Sequence, residues 1–286
     1  MAGGSSLARQ DRTLRGVSRH LSRAEGGGRE GGRLGQARIV KFQGKARDGP
    51  EVERHPLQRH SERMEDHVSE NKTSFYLKAE KYWKDIPATV DGMLGGYGSI
   101  SSIDINGSKK FLQKFLGEGK GKTRPGCALD CGAGIGRITK RLLLPLFRTV
   151  DLVDVTQDFL DKARSYLGEE GKRVENYFCC GLQDFQPHPD RYDVIWIQWV
   201  IGHLTDNHLV DFLRRCRSAL RPDGLIVVKD NVAFEGVVPD EVDSSVCRDL
   251  PLLRCIVAKA GLNIIYEEQQ QNFPEEIYQV HILAIR

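Results

Sequence analysis

The sequence has no apolar run that approaches the roughly 18 residues of a membrane-spanning helix, so we expect no membrane segment. It has no C-x-x-C pair, and its seven cysteines are an odd number that lie mostly in apolar stretches. This number and spacing of cysteines argue against a metal site and favour a reducing intracellular compartment. The N-terminus is rich in arginine and glycine and lacks the apolar segment of a secretory signal. We therefore expect an intracellular globular protein without a metal.

Residues 1–63 contain no cysteine, tryptophan or tyrosine, although they hold 11 of the 30 glycines. They carry 14 lysines and arginines against 7 aspartates and glutamates, whereas residues 64–286 have a net charge of −4. A segment with so little apolar surface cannot offset the entropy lost on ordering, so we predict a disordered basic extension. It is either a nucleic-acid or nuclear-targeting arm or a solvated tail without a function. The composition turns acidic at Met64, which suits an internal start.

A glycine-rich loop follows an apolar, strand-like run that ends at Asp130. Three glycines alternate at Gly132, Gly134 and Gly136, and Arg137 follows them. The missing side chains let the backbone close around a ligand, and the start of the next helix directs N–H groups at an anion. The opposite charges of Asp130 and Arg137 suit a zwitterionic amino-acid group. A dinucleotide loop would need glycine at position 137 and is excluded, whereas a tight turn without a ligand is the alternative.

Strands and helices alternate after this loop, which predicts an α/β fold with a doubly wound, mostly parallel, seven-stranded sheet. The last two strands are close enough in sequence to form an antiparallel hairpin. A helix is predicted from Ser244 or Ser245 to Gly261, and Thr156 is predicted to cap the helix after the second strand. A glycine-rich stretch over 89–98 has the composition of a mobile lid. Strands are predicted at 127–130, 150–155, 177–180, 192–199, 225–230, 263–266 and 278–285.

Several side chains follow the carboxyl ends of these strands, where ligands bind in such sheets. Asp154 lies 18 residues beyond the last glycine of the loop, where a carboxylate can bind two ribose hydroxyls or simply cap a helix. Leu182 and Gln183 can flank an adenine with an apolar face and a polar edge, or form an ordinary loop. Gln198 and Trp199 end the fourth strand and provide a neutral polar group and a flat wall.

A second set of residues converges on the same edge of the predicted sheet. His203 follows strand four, Asn231 follows strand five, and an acidic stretch containing Asp240 and Asp243 comes next. A single histidine is often structural, and aspartates before a helix are often caps. Their convergence on one edge with the glycine loop favours a functional interpretation.

Four segments of the sequence resemble the eukaryotic alpha N-terminal protein methyltransferases. They are Ile86–Gly98, Leu129–Arg137, Asp193–Trp199 and Asp243–Asp249, within a resemblance that covers residues 64–286. The glycine loop alone is similar to the first motif of class I S-adenosylmethionine-dependent methyltransferases. The resemblance implies a Rossmann-like methyltransferase domain over 64–286, with N-terminal helices and a lid over 64–118 and a cofactor-binding core over 126–286.

The resemblance also implies an activity. It is the transfer of one to three methyl groups from S-adenosylmethionine to the α-amine of proteins that begin Xaa-Pro-Lys, with S-adenosylhomocysteine as product. Asp243 and His203 are implied to accept the amine proton. The residues implied to bind the cofactor are Gly132, Arg137, Asp154, Val155, Thr156, Leu182, Gln183 and Gln198. Those implied to bind the peptide are Leu94, Trp199, Asn231, Asp240, Ser245, Ile277 and Tyr278.

The expected partners are proteins with free Xaa-Pro-Lys N-termini, in the nucleus and the cytoplasm. A class I methyltransferase that acts on a small-molecule amine is the alternative, and it would not need the acidic residues Asp240 and Asp243. A nucleic-acid methyltransferase would use a basic groove, which the net charge of −4 over residues 64–286 opposes.

Overall fold

Six helices surround the sheet in the computed structural model, which describes residues 72–286. The predicted basic extension over 1–63 lies outside the described residues. The helices are α1 (Lys72–Asp85), α2 (Val90–Met93), α3 (Ser101–Gln113), α4 (Gln157–Leu167), α5 (Asp206–Ala219) and α6 (Leu250–Lys259). Single 3-10 turns occur at Gly98–Ile100, Gly168–Arg173 and Ile201–His203, and a π-helical turn occupies Thr139–Leu143 after the glycine loop.

The described part of the chain forms one sheet of nine strands, not seven. The parallel part has the order β3-β2-β1-β4-β5, and β9 and β8 extend it with antiparallel pairing. These are the seven predicted strands, and the additional pair is a short hairpin of β6 and β7. The strands are β1 (Cys127–Cys131), β2 (Thr149–Asp154), β3 (Val174–Cys179), β4 (Tyr192–Gln198), β5 (Leu220–Val232), β6 (Val237–Asp240), β7 (Ser245–Arg248), β8 (Ile264–Gln269) and β9 (Gln279–Ile285).

One prediction about a helix start was wrong, and another was right in position but not in its capping bond. The helix predicted from Ser244 or Ser245 begins at Leu250, because Asp249 is the residue whose side chain accepts the N–H of Leu252. Ser245 instead begins β7. Thr156 occupies the cap position of α4, but its hydroxyl makes no capping bond. At the start of α5 the hydroxyl of Thr205 accepts the N–H of His208.

Both faces of the sheet are buried under helices, so its central strands contain almost no exposed residue. All five residues of β1 and all seven of β4 are buried. One apolar cluster packs against α5 and α6, and the other, which includes Trp196, packs against α3 and α4. The order of the sheet reverses between β1 and β4, and in such folds a ligand lies at this reversal, outside the carboxyl ends of the strands.

The predicted lid over 89–98 folds as two short helical turns, and its mobility stays a prediction. Thr89 accepts the N–H of Gly92 at the start of α2, and Leu94 is buried against Ile100 and Ile277. No helix among residues 72–286 is long and apolar enough to cross a membrane. The same residues contain no group of acidic, histidine or cysteine side chains that could hold a metal ion.

Candidate active site

A cavity lies at the reversal of the sheet, between the carboxyl ends of β1, β2 and β4 and the inner face of α1. The predicted cofactor residues line it with one exception, since Thr156 is not among its walls. Helix α1 covers the cavity with Tyr76, Ala79 and Trp83. The predicted residues in its walls are Gly132, Arg137, Asp154, Val155, Leu182, Gln183, Gln198, Trp199 and His203.

The glycine loop has the backbone conformation that its sequence predicts. Gly132, Gly134 and Gly136 all have positive φ, at 67°, 54° and 80°, a region that residues with a side chain adopt at a cost. A Cβ atom on Gly134 would also lie 2.5 Å from the sulfur of Met93. The three glycines therefore let β1 turn sharply toward the cavity while α2 packs on the loop.

Asp154 fixes the shape of this loop from the neighbouring strand. Its Oδ2 accepts the N–H of Gly134 and its Oδ1 accepts the N–H of Thr156, both at 2.8 Å. Burial raises the pKa of Asp154 to about 6, and the N–H donors oppose that shift. Each carboxylate oxygen keeps a lone pair for a further donor, so the residue can still accept hydroxyl groups from the cavity.

Asp130 does not pair with Arg137 across the loop. Its Oδ2 accepts both the backbone N–H and the hydroxyl of Thr139, at 3.0 and 2.6 Å. Burial raises the pKa of Asp130 to about 6. Both Asp130 and Arg137 line the cavity, so the opposite charges predicted from the sequence are present in its walls.

Arg137 is held instead by Asp104, a residue of α3 that the sequence analysis did not identify. Its Nη1 donates to Asp104 Oδ2 at 2.7 Å, and Gln198 Nε2 donates to Asp104 Oδ1 at 2.9 Å. Trp196 in turn donates its indole N–H to Gln198 Oε1 at 2.9 Å. One buried carboxylate on α3 thus orients two of the predicted cofactor residues. No local pattern around Asp104 indicates this role, because its partners lie at least 33 residues away.

The loop of Leu182 and Gln183 is also positioned by a residue that sequence analysis missed. Arg215 of α5 donates to the carbonyl oxygens of Leu182 and Gln183, at 2.8 and 3.1 Å, and to that of Phe185 at 2.8 Å. Leu182 is buried and presents an apolar side chain to the cavity. An apolar face beside a polar edge is the combination that suits a purine ring.

Trp199 leaves the sheet at the end of β4. Its φ of 51° is rare for a bulky residue, and it directs the ring away from the strand toward Phe273, with which it stacks at 6.4 Å between centroids. The guanidinium of Arg137 lies 5.7 Å from the ring. Trp199 also packs against the apolar cluster of Leu94, Ile100 and Ile277. This arrangement brings the predicted cofactor side and the predicted peptide side together at one ring.

His203 has both ring nitrogens engaged. The indole N–H of Trp83 donates to Nε2 at 3.0 Å, so the ring proton is on Nδ1, which donates to the carbonyl oxygen of Ser244 at 3.3 Å. Burial lowers the pKa of His203, while the nearby charge of Asp243 opposes that shift. The histidine is therefore held as a neutral ring without a free lone pair.

Asp243, unlike His203, has a hydrogen-bond acceptor that is not in use. Its Oδ1 is buried and has no hydrogen-bond partner among the described residues, and burial raises its pKa, with His203 and Ser245 opposing. Burial raises the pKa of Tyr82 of α1 to about 12, and the charges of Asp243 and Asp240 add to the shift. Tyr82 is therefore close enough to both carboxylates to feel their charge. Tyr82 is not among the site residues that the sequence predicted.

Four buried polar atoms in this region lack partners among residues 72–286. They are the hydroxyl of Tyr82, the indole nitrogen of Trp199, Oδ1 of Asn231 and Oδ1 of Asp243. An unpaired buried polar atom costs about 1–3 kcal/mol, so each of these atoms is a candidate to bind a polar group of a ligand.

The β6–β7 hairpin carries two of the remaining predicted peptide residues, Asp240 and Ser245, and the third, Tyr278, directly precedes β9. Asp240 pairs in register with Ser245, and its Oδ1 accepts the N–H of Val242. Burial raises the pKa of Tyr278, and the charges of Cys247 and Asp240 add to the shift. None of these residues lines the cavity described above.

A family model described as AdoMet dependent proline di-methyltransferase matches residues 71–286. The chain belongs to this methyltransferase family. It is 85% identical to N-terminal Xaa-Pro-Lys N-methyltransferase 1 of Danio rerio and 69% identical to the protein of that name from Homo sapiens. Each match extends over 223 residues, which are 78% of this chain and 100% of the relative.

Solved structures agree with the family. A methyltransferase from Leishmania major, described as S-adenosylmethionine-dependent, has a TM-score of 0.70 and 34% identity, and the match covers 74% of this chain and 83% of that one. A phosphoethanolamine N-methyltransferase of Haemonchus contortus, in complex with S-adenosylhomocysteine, has a TM-score of 0.57 at 18% identity. That match covers 75% of this chain and 48% of that chain, and it supports the fold alone.

The methyltransferase uses S-adenosylmethionine, and its cavity suits that molecule. Arg137 provides a cation for a carboxylate, Asp154 provides free lone pairs for ribose hydroxyls, and Leu182 provides an apolar contact for adenine. The glycine loop directs backbone N–H groups toward the same space. The prediction of a Rossmann-like class I methyltransferase is confirmed, whereas the assignment of individual residues stays a prediction.

Proposed function

We propose that this methyltransferase acts on the α-amino group of proteins whose free N-terminus begins Xaa-Pro-Lys. The names of its relatives support this substrate. In the site, the observation that supports it best is the buried, unpaired Oδ1 of Asp243 beside Tyr82 and Asp240. A carboxylate in that position can bind an amine and accept its proton.

The cofactor supplies a methyl group on a sulfonium, which is already a good leaving group. The chain therefore has mainly to align an amine with that methyl group and to keep the amine neutral. In this proposal Arg137 and Gln198 hold the amino-acid end of the cofactor, Asp154 holds the ribose, and Leu182 covers the adenine. The cluster of Leu94, Ile277 and Trp199 receives the proline of the substrate.

The chemistry of an N-terminus fits these residues. An α-amine has a pKa of about 7.7–8.0, far below the 10.4 of a lysine side chain, so a single carboxylate such as Asp243 suffices as base. Proline at the second position forces the first residue to be extended, which threads the amine toward the cofactor with little entropy left to lose. Asp240, beside the turn of the hairpin, pairs with the lysine at the third position.

In this scheme His203 is secondary to Asp243 as the proton acceptor. Its Nε2 must release the indole N–H of Trp83 before it can accept a proton. Asp243 has a free oxygen already. We therefore assign proton acceptance to Asp243 and assign to His203 the positioning of the segment that carries Ser244.

Mass spectrometry of a peptide that begins Ser-Pro-Lys tests the substrate. The peptide is incubated with the full chain and S-adenosylmethionine, beside the same peptide acetylated at its N-terminus. We expect gains of one to three methyl groups on the free peptide alone. Methylation of both peptides would move the target to a side chain. Transfer to neither, with the cofactor still bound, would favour a small-molecule amine.

We also propose that the protein is present in both the nucleus and the cytoplasm. The basic character of residues 1–63, with 14 lysines and arginines, supports a nuclear fraction. Imaging of fluorescent fusions of residues 1–286 and 64–286 tests this. Confinement of both fusions to the cytoplasm would contradict it.

A further inference from the structure

The cluster around Asp104 contains a second cation that does not touch the cavity. Lys229 of β5 is fully buried, and its Nζ donates to Oδ1 of Asp104 at 2.5 Å and to the carbonyl oxygen of that residue at 3.2 Å. It also donates to the hydroxyl of Ser108 at 3.0 Å and to Oε1 of Gln270 at 2.7 Å. Lys229 is absent from the cavity walls, whereas Arg137 and Gln198 are part of them.

The contacts of Lys229 identify its charge state. The two Asp104 oxygens and Gln270 Oε1 only accept hydrogen bonds, and an ammonium group has three N–H donors and no acceptor. Burial lowers the pKa of Lys229, and the charge of Asp104 opposes that shift. Burial raises the pKa of Asp104, but the charges of Lys229 and Arg137 outweigh it and the net direction is downward. The shell of acceptors therefore holds an ammonium beside a carboxylate.

The cluster then contains two cations and one anion, all nearly inaccessible to solvent. Arg137 alone would be neutralised by Asp104, so the excess positive charge comes from the presence of Lys229. Glu268 pairs with Lys114 and Asp130 is bonded to Thr139. The charges of these two carboxylates reach Lys229 and Arg137, but neither forms an ion pair with the cluster. A buried excess charge is unfavourable unless an opposite charge compensates it.

We propose that Lys229 is a positioning residue for the cofactor, which makes the Asp104 cluster a net cation that selects the carboxylate of S-adenosylmethionine. The inference depends on the proposed binding of that carboxylate at Arg137. Lys229 acts through Asp104, because it compensates the charge of that carboxylate. Asp104 in turn orients Arg137 and Gln198. Asp130 lines the same cavity and can bind the amino group of the same ligand, so the cavity offers both charges that a zwitterion requires.

Calorimetric titration of the full chain with S-adenosylhomocysteine and with its decarboxylated analogue tests this proposal. The ratio of the two dissociation constants measures selection for the carboxylate. We expect Lys229→Met to reduce that ratio about tenfold, the scale of one charge removed at close range from a partly buried site. Loss of packing alone would weaken both ligands equally and leave the ratio unchanged, which would overturn the proposal.

A double variant separates the charge of Lys229 from its packing. Asp104→Asn combined with Lys229→Met removes one charge of each sign and leaves Arg137 as the net cation. We expect the ratio for the double variant to return to within about threefold of the wild-type ratio, because its cluster again has a net positive charge. Loss of that charge alone changes the ratio about tenfold. A ratio as low as that of Lys229→Met would overturn the proposal. Lys229→Gln, which can still bond Gln270 and Ser108, replaces Lys229→Met if that variant does not fold.

Arg137→Gln distinguishes this inference from the assignment on which it depends. If Arg137→Gln keeps the wild-type ratio, the carboxylate is not bound at Arg137 and the assignment itself fails. If the ratio of dissociation constants falls in Arg137→Gln but keeps its wild-type value in Lys229→Met, the assignment holds and the role of Lys229 is refuted.

Discussion

Replacement of Asp243 by asparagine gives the sharpest test of the proposed chemistry. The substitution keeps the size of the side chain and removes the carboxylate whose Oδ1 has no partner. General base catalysis contributes about 10²–10⁴ to rate, and we expect the low end, a loss of about 100-fold in kcat/KM at pH 7. The low end applies because the α-amine of the substrate loses its proton readily without help.

The pH dependence of this loss follows from the substrate. With a pKa near 7.8, roughly one amine in seven is neutral at pH 7, and almost all are neutral at pH 9. Raising the pH from 7 to 9 therefore increases the neutral fraction of the amine about sevenfold, and this is the largest gain in rate that deprotonation by solvent can give the variant. We expect the deficit of Asp243→Asn to shrink from about 100-fold at pH 7 to about 15-fold at pH 9.

The assay is the initial rate of methylation of the Ser-Pro-Lys peptide between pH 6.5 and 9.5, with S-adenosylmethionine binding measured in parallel. Asp240→Asn is the matched control, because it removes a carboxylate from the same hairpin, and we expect it to raise KM with little change in kcat. A deficit below threefold at pH 7, or one that does not change with pH, would refute the role of Asp243. A larger loss in His203→Gln would reverse the assignment of the two residues.

Three further predictions follow from the structure. Asp154→Asn places an amide group against the N–H of Gly134 or of Thr156, so we expect cofactor binding to weaken about thirtyfold, from a cost of about 2 kcal/mol, in calorimetry. The wild-type affinity should also fall as pH drops through about 6, where Asp154 gains a proton, and the variant should lack this fall. Arg248→Met leaves Asp206 and two carbonyl oxygens without their buried partner, so denaturant titration should give a loss of about 3–5 kcal/mol in the free energy of unfolding. Burial raises the pKa of Asp230 to about 7, so this carboxyl favours folding below its ordinary pKa near 4, and the benefit disappears as pH rises to 7. Thermal melts should thus show Asp230→Asn gaining about 4 kcal/mol on the wild type between pH 4 and pH 8, and a constant difference would contradict the shift.

The parts of the site that sequence analysis predicted are those encoded by local pattern. The glycine loop needs positive φ at three positions, and a residue at the end of a strand, such as Asp154 or Gln198, is brought to the ligand edge by the topology of the sheet. These features depend on neighbours in sequence and on one general property of α/β sheets.

The parts that sequence analysis missed depend on contacts between distant segments. Asp104 meets Lys229 across 125 positions and Arg137 across 33, and nothing near Asp104 in sequence marks it. The β6–β7 hairpin was missed because each strand has four residues and β6 contains Pro239, which is a poor strand residue. The error at α6 had a local cause, since Ser244, Ser245 and Asp249 are all acceptable caps and only the structure shows which one is used.

The backbone of Trp199 has a consequence for how this chain can change. A bulky residue in the left-handed region costs of order 1–3 kcal/mol, whereas glycine adopts that region readily. Replacement by glycine would relieve the strain and would also remove the ring that stacks on Phe273 beside Arg137. The ring also packs on the cluster of Leu94, Ile100 and Ile277, and loss of such packing costs about 3–5 kcal/mol, more than the strain relieved. Backbone strain and packing therefore favour different residues at position 199, and screens for thermal tolerance and for methyl transfer should both retain tryptophan.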